Sequence, residues 1–229
     1  MKLLHYGLQR SGTNYLESLI TKKYQVQFLN GNIAGIHPDR SSVLHKHFRL
    51  YDQKDIIPEP KFYNEFKIAT FNDFEQLLET TPDYYLIISK DPYSWFLSYT
   101  EWARKCDWPT VSFHYILEYN LFYGKWLEFS RQTERILFVK YIDLLRDPDQ
   151  ELKRLELKMH LKKKFFSLLR SSTVFKVPQS KEFSIDRRSY YVSKQYLHNY
   201  TREGLQELND LINPEVIRLL GYKKEEKNR

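Results

Sequence analysis

Residues Gly7-Leu8-Gln9-Arg10-Ser11-Gly12-Thr13-Asn14 follow an apolar start and set two glycines at the ends of a six-residue turn, the outline of a loop that wraps an anion. In a loop built for a magnesium-bound triphosphate, the second glycine precedes a lysine that reaches the β- and γ-phosphates, then a serine or threonine that ligates the metal. Thr13 and Asn14 stand in those two places. A hydroxyl and an amide still donate hydrogen bonds, and the backbone N–H groups of a helix starting here still cradle a phosphate. The pattern points to a smaller, metal-free phosphate donor rather than a triphosphate clamped on magnesium.

Such a loop needs a strand before it and a helix after it. Short apolar runs predict strands over Lys2–Leu8, Gln25–Leu29, Ser42–Phe48, Tyr84–Ser89 and Arg135–Lys140, the last two continuous, as in buried parallel sheets. Tyr15, Leu16, Leu19 and Ile20 recur at helical spacing, which puts a helix N-terminus on Ser11–Asn14. Further helices are expected over Pro92–Arg104, Val111–Phe129 and Tyr141–Leu157, the last broken at Pro148, with two short ones between Thr201 and Gly221 separated by Asn213-Pro214. The stretch Arg49–Lys67, rich in Pro, Asp and Tyr, reads as a substrate-side loop or lid. Alternating strands and helices imply an α/β fold with a central, mostly parallel sheet flanked by helices.

The 229 residues, 41% of them hydrophobic, suffice for a single domain spanning 1–229. A net charge of +7 and a pI near 9.2 favour anionic partners: nucleotides, acidic glycans, nucleic acid or a membrane surface. The single Cys106 excludes an intramolecular disulfide. The first residues are too short an apolar run for a signal peptide and no stretch reaches a membrane span, so a cytoplasmic enzyme is expected.

Three segments in order resemble the sulfotransferases that use 3′-phosphoadenosine 5′-phosphosulfate (PAPS). Gln9-Arg10-Ser11-Gly12-Thr13-Asn14-Tyr15-Leu16 is similar to that family's 5′-phosphosulfate loop, with Gln9 in place of Pro and Asn14 in place of the second Thr. Leu86-Ile87-Ile88-Ser89-Lys90-Asp91-Pro92, with Ser98 eight residues after Lys90, resembles the 3′-phosphate motif, Lys replacing Arg. Phe138-Val139-Lys140-Tyr141-Ile142-Asp143-Leu144, with the later Asp147-Pro148, is similar to the family's strand followed by Tyr-Glu-Asp-Leu. The resemblance implies a three-layer P-loop-like α/β fold. It also implies a PAPS co-substrate with adenosine 3′,5′-bisphosphate as product, and no metal.

On that resemblance the donor is held by Arg10, Ser11, Gly12, Thr13, Asn14, Tyr15, Lys90, Ser98 and Tyr141, with Arg187 and Arg188 closing over the 3′-phosphate. Lys90 at a strand's C-terminal edge and Ser98 two turns into the next helix can grip one phosphate from two sides. Arg10 takes the place of the cation at the transferring group, where charge builds on the leaving oxygen. The base that takes the acceptor's proton is assigned to His47, with His45 at the family's lysine position; Glu17, Glu65 and Glu101 are the alternatives. A strand ending in His45-Lys46-His47 would put both rings on one face at the sheet's edge. A metal site on the two histidines lacks further ligands nearby. Bland readings compete with each of these: a solvated Lys90, an Arg10 paired with a surface carboxylate, two partly exposed histidines.

The aromatic segments around Trp95, Trp102, Trp108 and Tyr115 suit stacking on a sugar, so the expected acceptor is a hydroxyl of a saccharide or glycolipid. The run Lys158–Lys164 reads as a solvated helix face. A P-loop kinase and a basic nucleic-acid-binding module are the alternatives; the first lacks its lysine and the second any recognition motif.

Overall fold

The computed structural model describes residues 1–31, 38–50, 56–58, 62–63, 65–165 and 185–226, with only the backbone at 185–187. The four strands among the described residues, β1 (Lys2–Tyr6), β2 (Gln27–Phe28), β3 (Tyr84–Ser89) and β4 (Ile136–Lys140), form one sheet in the order β2-β1-β3-β4, all parallel. The nine α-helices among the described residues are α1 (Thr13–Lys23), α2 (Phe71–Gln76), α3 (Pro92–Lys105), α4 (Ile116–Ser130), α5 (Tyr141–Arg146), α6 (Pro148–Met159), α7 (Ile185–Val192), α8 (Arg202–Leu211) and α9 (Pro214–Leu219).

The period of two along each strand divides the side chains between two cores. Leu3, Leu86, Ile88 and Val139 pack under α1, α5 and α6 with Leu16, Leu144 and Leu155, while Leu4, Tyr6, Tyr85 and Ile87 pack under the other helices with Trp95, Trp126 and Ile217. The result is the three-layer, helix-flanked α/β sheet expected from the sequence. The chain leaves β1 towards β2 on one side and returns through β3 on the other, so the order reverses between β1 and β3. In an open parallel sheet the crevice beyond the C-terminal strand ends at such a reversal is where ligands bind.

Three helices start with the same device. Asp91, Asp147 and Asn213 accept hydrogen bonds from the backbone N–H groups of the first turn, and Pro92, Pro148 and Pro214 follow at the first helical position. Pro148 separates α5 from α6 as the sequence implies. The helix expected from Val111 begins only at Ile116. Helix α2 was not foreseen, although Thr70 and Asp73 form its reciprocal capping box.

The strand expected over Ser42–Phe48 is absent. His45 N–H donates to the Ser42 carbonyl and Phe48 N–H to the His45 carbonyl, so the segment is a run of tight turns. Its link to β1 is one backbone bond, Gly7 N–H to the Lys46 carbonyl, and the Val43 carbonyl is taken by the Tyr6 hydroxyl at 2.6 Å. Alternation of polar and apolar residues imitates a strand where side chains and turns satisfy the backbone instead. Much of Arg49–Lys67 lies outside the described residues. Among the described residues no helix is long and apolar enough to cross a membrane, and no group of three or more His, Cys, Asp or Glu is gathered as metal ligands.

Candidate active site

The loop after β1 is shaped by two close approaches. A Cβ on Gly7 would lie 2.4 Å from Ser11 Oγ and 2.7 Å from the Ile88 carbonyl oxygen. Gly12 has φ of +102°, and a Cβ there would lie 2.5 Å from a ring carbon of Tyr141. Gly12 is the N-cap of α1 with no side-chain cap, and the first turn carries no acidic residue, so the helix presents its N-terminal N–H groups at the strand ends. Ser11 and Thr13 are buried there. Ser11 Oγ, beside the Tyr123 hydroxyl, makes no hydrogen bond of good geometry.

Across the reversal, three tyrosines fix the end of β3. Tyr123, Tyr222 and Tyr119 donate their hydroxyls to the successive carbonyls of Ile88, Ser89 and Lys90, at 2.9, 3.1 and 2.9 Å. Lys90 is thereby held at the strand's edge, and its Nζ donates to Ser98 Oγ at 2.7 Å and to the Tyr191 hydroxyl at 3.2 Å. Ser98 in turn donates to the Ser94 carbonyl, one turn back in α3. Lys90 and Ser98, expected to grip one phosphate from two sides, bond to each other.

Lys90, Ser94, Tyr191 and Tyr222 line a cavity of about 390 Å³ between the ends of β3 and β4, α5 and the segment after α9. Its wall is aromatic: Tyr141 packs edge-on against Tyr15 (6.1 Å between centroids) and Tyr191 (5.7 Å), and Lys90 Nζ sits 4.4 Å from the Tyr191 ring centre. Its cations are Lys90, Lys140, Arg146, Lys194 and Lys223, opposed by Asp91 and Glu225, the latter ion-paired with Lys194. Burial raises the Asp91 carboxyl to about 6, with the Ser94 N–H bond pulling the other way. Arg188 is not in this lining. It is exposed and donates to the Arg146 carbonyl at the end of α5, which offers an unpaired C-terminal acceptor. The side chain of Arg187 lies outside the described residues.

The turn segment carries the base candidates to the other end of the loop. His47 Nδ1 lies 2.6 Å from the Gly7 carbonyl oxygen, which can only accept, so Nδ1 carries the proton and Nε2 keeps its lone pair. Burial, then the neighbouring His45 and Lys46, hold His47 well below the ordinary imidazole range. Burial and the charges of Arg49 and Lys46 take His45 down to about 3. The two rings sit 5.3 Å apart at 70°, on consecutive turns rather than on one strand face.

Lys46, between them, is a buried cation at the loop that the sequence pattern does not single out. It is 6% exposed and its Nζ donates to Asn14 Oδ1, so a second cation, besides the exposed Arg10 of the loop, reaches the start of α1 from the neighbouring segment. His45, expected at the lysine position, lines the same cavity as Lys46, and it is Lys46 that bonds to Asn14. The signal was present as a lysine enclosed by two histidines, but a strand would have turned it to the opposite face from both. Burial lowers the Lys46 pKa to about 8, with the Glu17 carboxylate opposing.

His45, Lys46, His47 and Gln9 share a second cavity of about 440 Å³ with Trp102 and Trp108. Arg10, with φ of +70°, is exposed and extends towards it, its guanidinium carbon 5.1 Å from the Trp102 ring centre. Trp95 is instead wholly buried and donates to the Gln9 carbonyl at 3.0 Å, and Tyr115 packs on Tyr99. Of the alternative bases, Glu17 is buried 3.8 Å from His5, Glu101 pairs with Lys105 on the exposed face of α3, and Glu65 is exposed; none lines this cleft.

No family model matches the chain, and no curated protein matches it. Among solved structures, the mouse sulfotransferase SULT7A1 complexed with PAP aligns over 96% of this chain and 88% of its own, at 14% identity and a TM-score of 0.47. At that score, the functional reading has to rest on this chain's own residues.

Proposed function

We propose that the protein transfers a sulfuryl group from PAPS to an acceptor hydroxyl, without a metal. The observation that carries the reading is Lys90, bonded to Ser98 at 2.7 Å, on the wall of a cavity whose Tyr141 side also packs on Gly12. One ligand with a phosphate at Lys90 and a second anionic group at the loop would reach both. Tyr15, Tyr141 and Tyr191 offer aromatic faces for the adenine.

The N–H groups of α1, Lys46 and Arg10 supply positive potential where the phosphosulfate would lie. His47 Nε2 takes the proton of the acceptor hydroxyl as the oxygen attacks sulfur, and the sulfur–oxygen bond to the phosphate breaks with its electron pair left on the phosphate. Lys46 and the helix N-terminus stabilise that charge, an effect worth about 3 kcal/mol per fixed donor. A sulfuryl group carries less charge than a phosphoryl group, so side-chain cations can do what magnesium does in kinases. Trp102 and Trp108 in the second cavity suit a saccharide or glycolipid acceptor. The absence of a membrane-crossing helix among the described residues is compatible with a cytoplasmic location.

The test is transfer of labelled sulfate from PAPS to a panel of saccharides in the presence of EDTA. A labelled saccharide formed by the wild type and lost in His47→Ala supports the reading; phosphoryl transfer from magnesium ATP instead of sulfuryl transfer would replace it with a kinase.

A further inference from the structure

Arg49 lies beneath every part that this proposed reaction must align. It is fully buried, as is Glu118, which receives its Nε at 2.8 Å and its Nη2. Nη2 also reaches Gln9 Oε1 in the donor loop at 2.8 Å and the Tyr99 hydroxyl at 3.2 Å. Nη1 donates to the carbonyl of His47, and the guanidinium carbon sits 4.7 Å from the centre of Phe62, a wall of the acceptor cavity. Tyr99 donates to the other Glu118 oxygen and packs at 5.4 Å against Trp108, the facing wall. One guanidinium therefore ties the loop, the base segment and both sides of the cavity.

An isolated buried ion pair contributes little to stability, because removing two charges from water offsets their attraction, and an apolar replacement of equal volume is often as stable. The planar fork does something an apolar cluster cannot. It holds four acceptors, on Glu118, Gln9, Tyr99 and the His47 backbone, at set angles. His47 is held twice, by its carbonyl through Arg49 and by its ring Nδ1 through Gly7, in the segment that Gln9 flanks.

We propose that Arg49, with Glu118 as its counter-ion, is a positioning residue: it holds the Nδ1–H tautomer and orientation of His47 against the donor loop, so that the base, the acceptor hydroxyl and the transferring group lie in line. The inference rests on the sulfuryl-transfer reading for its consequence on rate, and on the His47 geometry alone for its structural content. Misplacement by about 1 Å at such a site costs on the order of 100-fold in rate.

The experiment uses Arg49→Lys, which keeps a charge opposite Glu118 but lacks the fork. Long-range ¹H–¹⁵N spectra of the histidine rings, with His47 assigned through His47→Gln, should show a protonated Nδ1 and bare Nε2 in the wild type and a tautomer mixture in Arg49→Lys. Release of adenosine 3′,5′-bisphosphate from PAPS, with water as acceptor, should fall about 100-fold. Calorimetric affinity for the bisphosphate, governed by Lys90 and Ser98, should stay within about threefold. A lower melting temperature with an unchanged His47 spectrum and rate would overturn the proposal and leave Arg49 a purely architectural residue. If Arg49→Lys does not fold, Gln9→Met removes one acceptor, leaves the Glu118 pair, and is read by the same criteria. If the wild type fails to bind the bisphosphate, the donor reading falls while the His47 spectrum still decides the positioning role.

Discussion

Lys46 gives the site a proton-linked signature of donor binding. Its pKa of about 8 reflects burial beside uncharged histidines, and its Nζ sits on Asn14 at the start of α1. A phosphosulfate or phosphate placed there would restore the charged form and return the pKa towards 10.5, the value of an unperturbed lysine. At pH 8.5 the free protein would carry about 0.25 proton on Lys46 and the complex about 1, so binding should take up about 0.75 proton. At pH 7 the uptake should be about 0.1. Calorimetric titration of adenosine 3′,5′-bisphosphate in buffers of different ionisation enthalpy reads this number directly. The phosphates are already fully ionised at pH 8.5, and the lowered histidines do not titrate there. Lys46→Met should abolish the uptake and slow sulfuryl transfer by on the order of 100-fold, the roughly 3 kcal/mol of one fixed donor. Binding without proton uptake in the wild type, or with the same uptake in Lys46→Met, would refute the placement of Lys46 at the donor.

Gly12→Ala forces a side chain into a left-handed backbone and against the Tyr141 ring, so denaturant unfolding should show a loss of about 1–3 kcal/mol together with weaker bisphosphate binding. His5 and His45, both near 3 in the fold, bind fewer protons than the unfolded chain between pH 3 and 6.5. Their stabilisation is complete above pH 6.5 and declines as pH falls, by about 2 kcal/mol each at pH 5. Asp91, raised to about 6, and the buried Glu118, also raised, oppose them in part, while His47 adds to them, so the net stability measured by urea unfolding should still be lower at pH 5 than at pH 7. Tyr119→Phe removes the hydroxyl from the Lys90 carbonyl and should cost about 1–3 kcal/mol in unfolding free energy, with Lys90 freed at its strand edge; an unchanged denaturation curve would show that this bond does not anchor it.

What the sequence discloses is what is local. The glycine-bounded loop, the strand before Lys90 and the Asx-Pro helix starts each lie within about ten residues, and all appear where the pattern puts them. The eight-residue spacing of Lys90 and Ser98 is local too, and their contact follows from a helix beginning at Pro92. Residues 42–48 mislead because their alternation imitates a strand, whereas the segment closes local turns and its Val43 and Lys46 carbonyls are taken by Tyr6 and Gly7, some forty positions away. Lys46 is hidden by the same error, since period two and a turn orient it oppositely. The tyrosines on the carbonyls of Ile88, Ser89 and Lys90 come from α4 and from Tyr222 beyond α9, among 18 tyrosines with nothing local to distinguish them. Arg188, expected over the donor, bonds to the end of α5, a partner that no local pattern reveals.

The measurement that bears most directly on the central claim is a titration in EDTA of adenosine 3′,5′-bisphosphate, and separately of adenosine 5′-monophosphate, into the wild type and Lys90→Ala. Micromolar binding of the bisphosphate is predicted, with a loss of at least about tenfold, or ~1.4 kcal/mol, either when Lys90 is truncated or when the 3′-phosphate is missing. The two losses should not add, because they remove the same contact. Equal affinity for both nucleotides, or no binding by the wild type, would contradict the account of Lys90 and Ser98 as the grip on a 3′-phosphate.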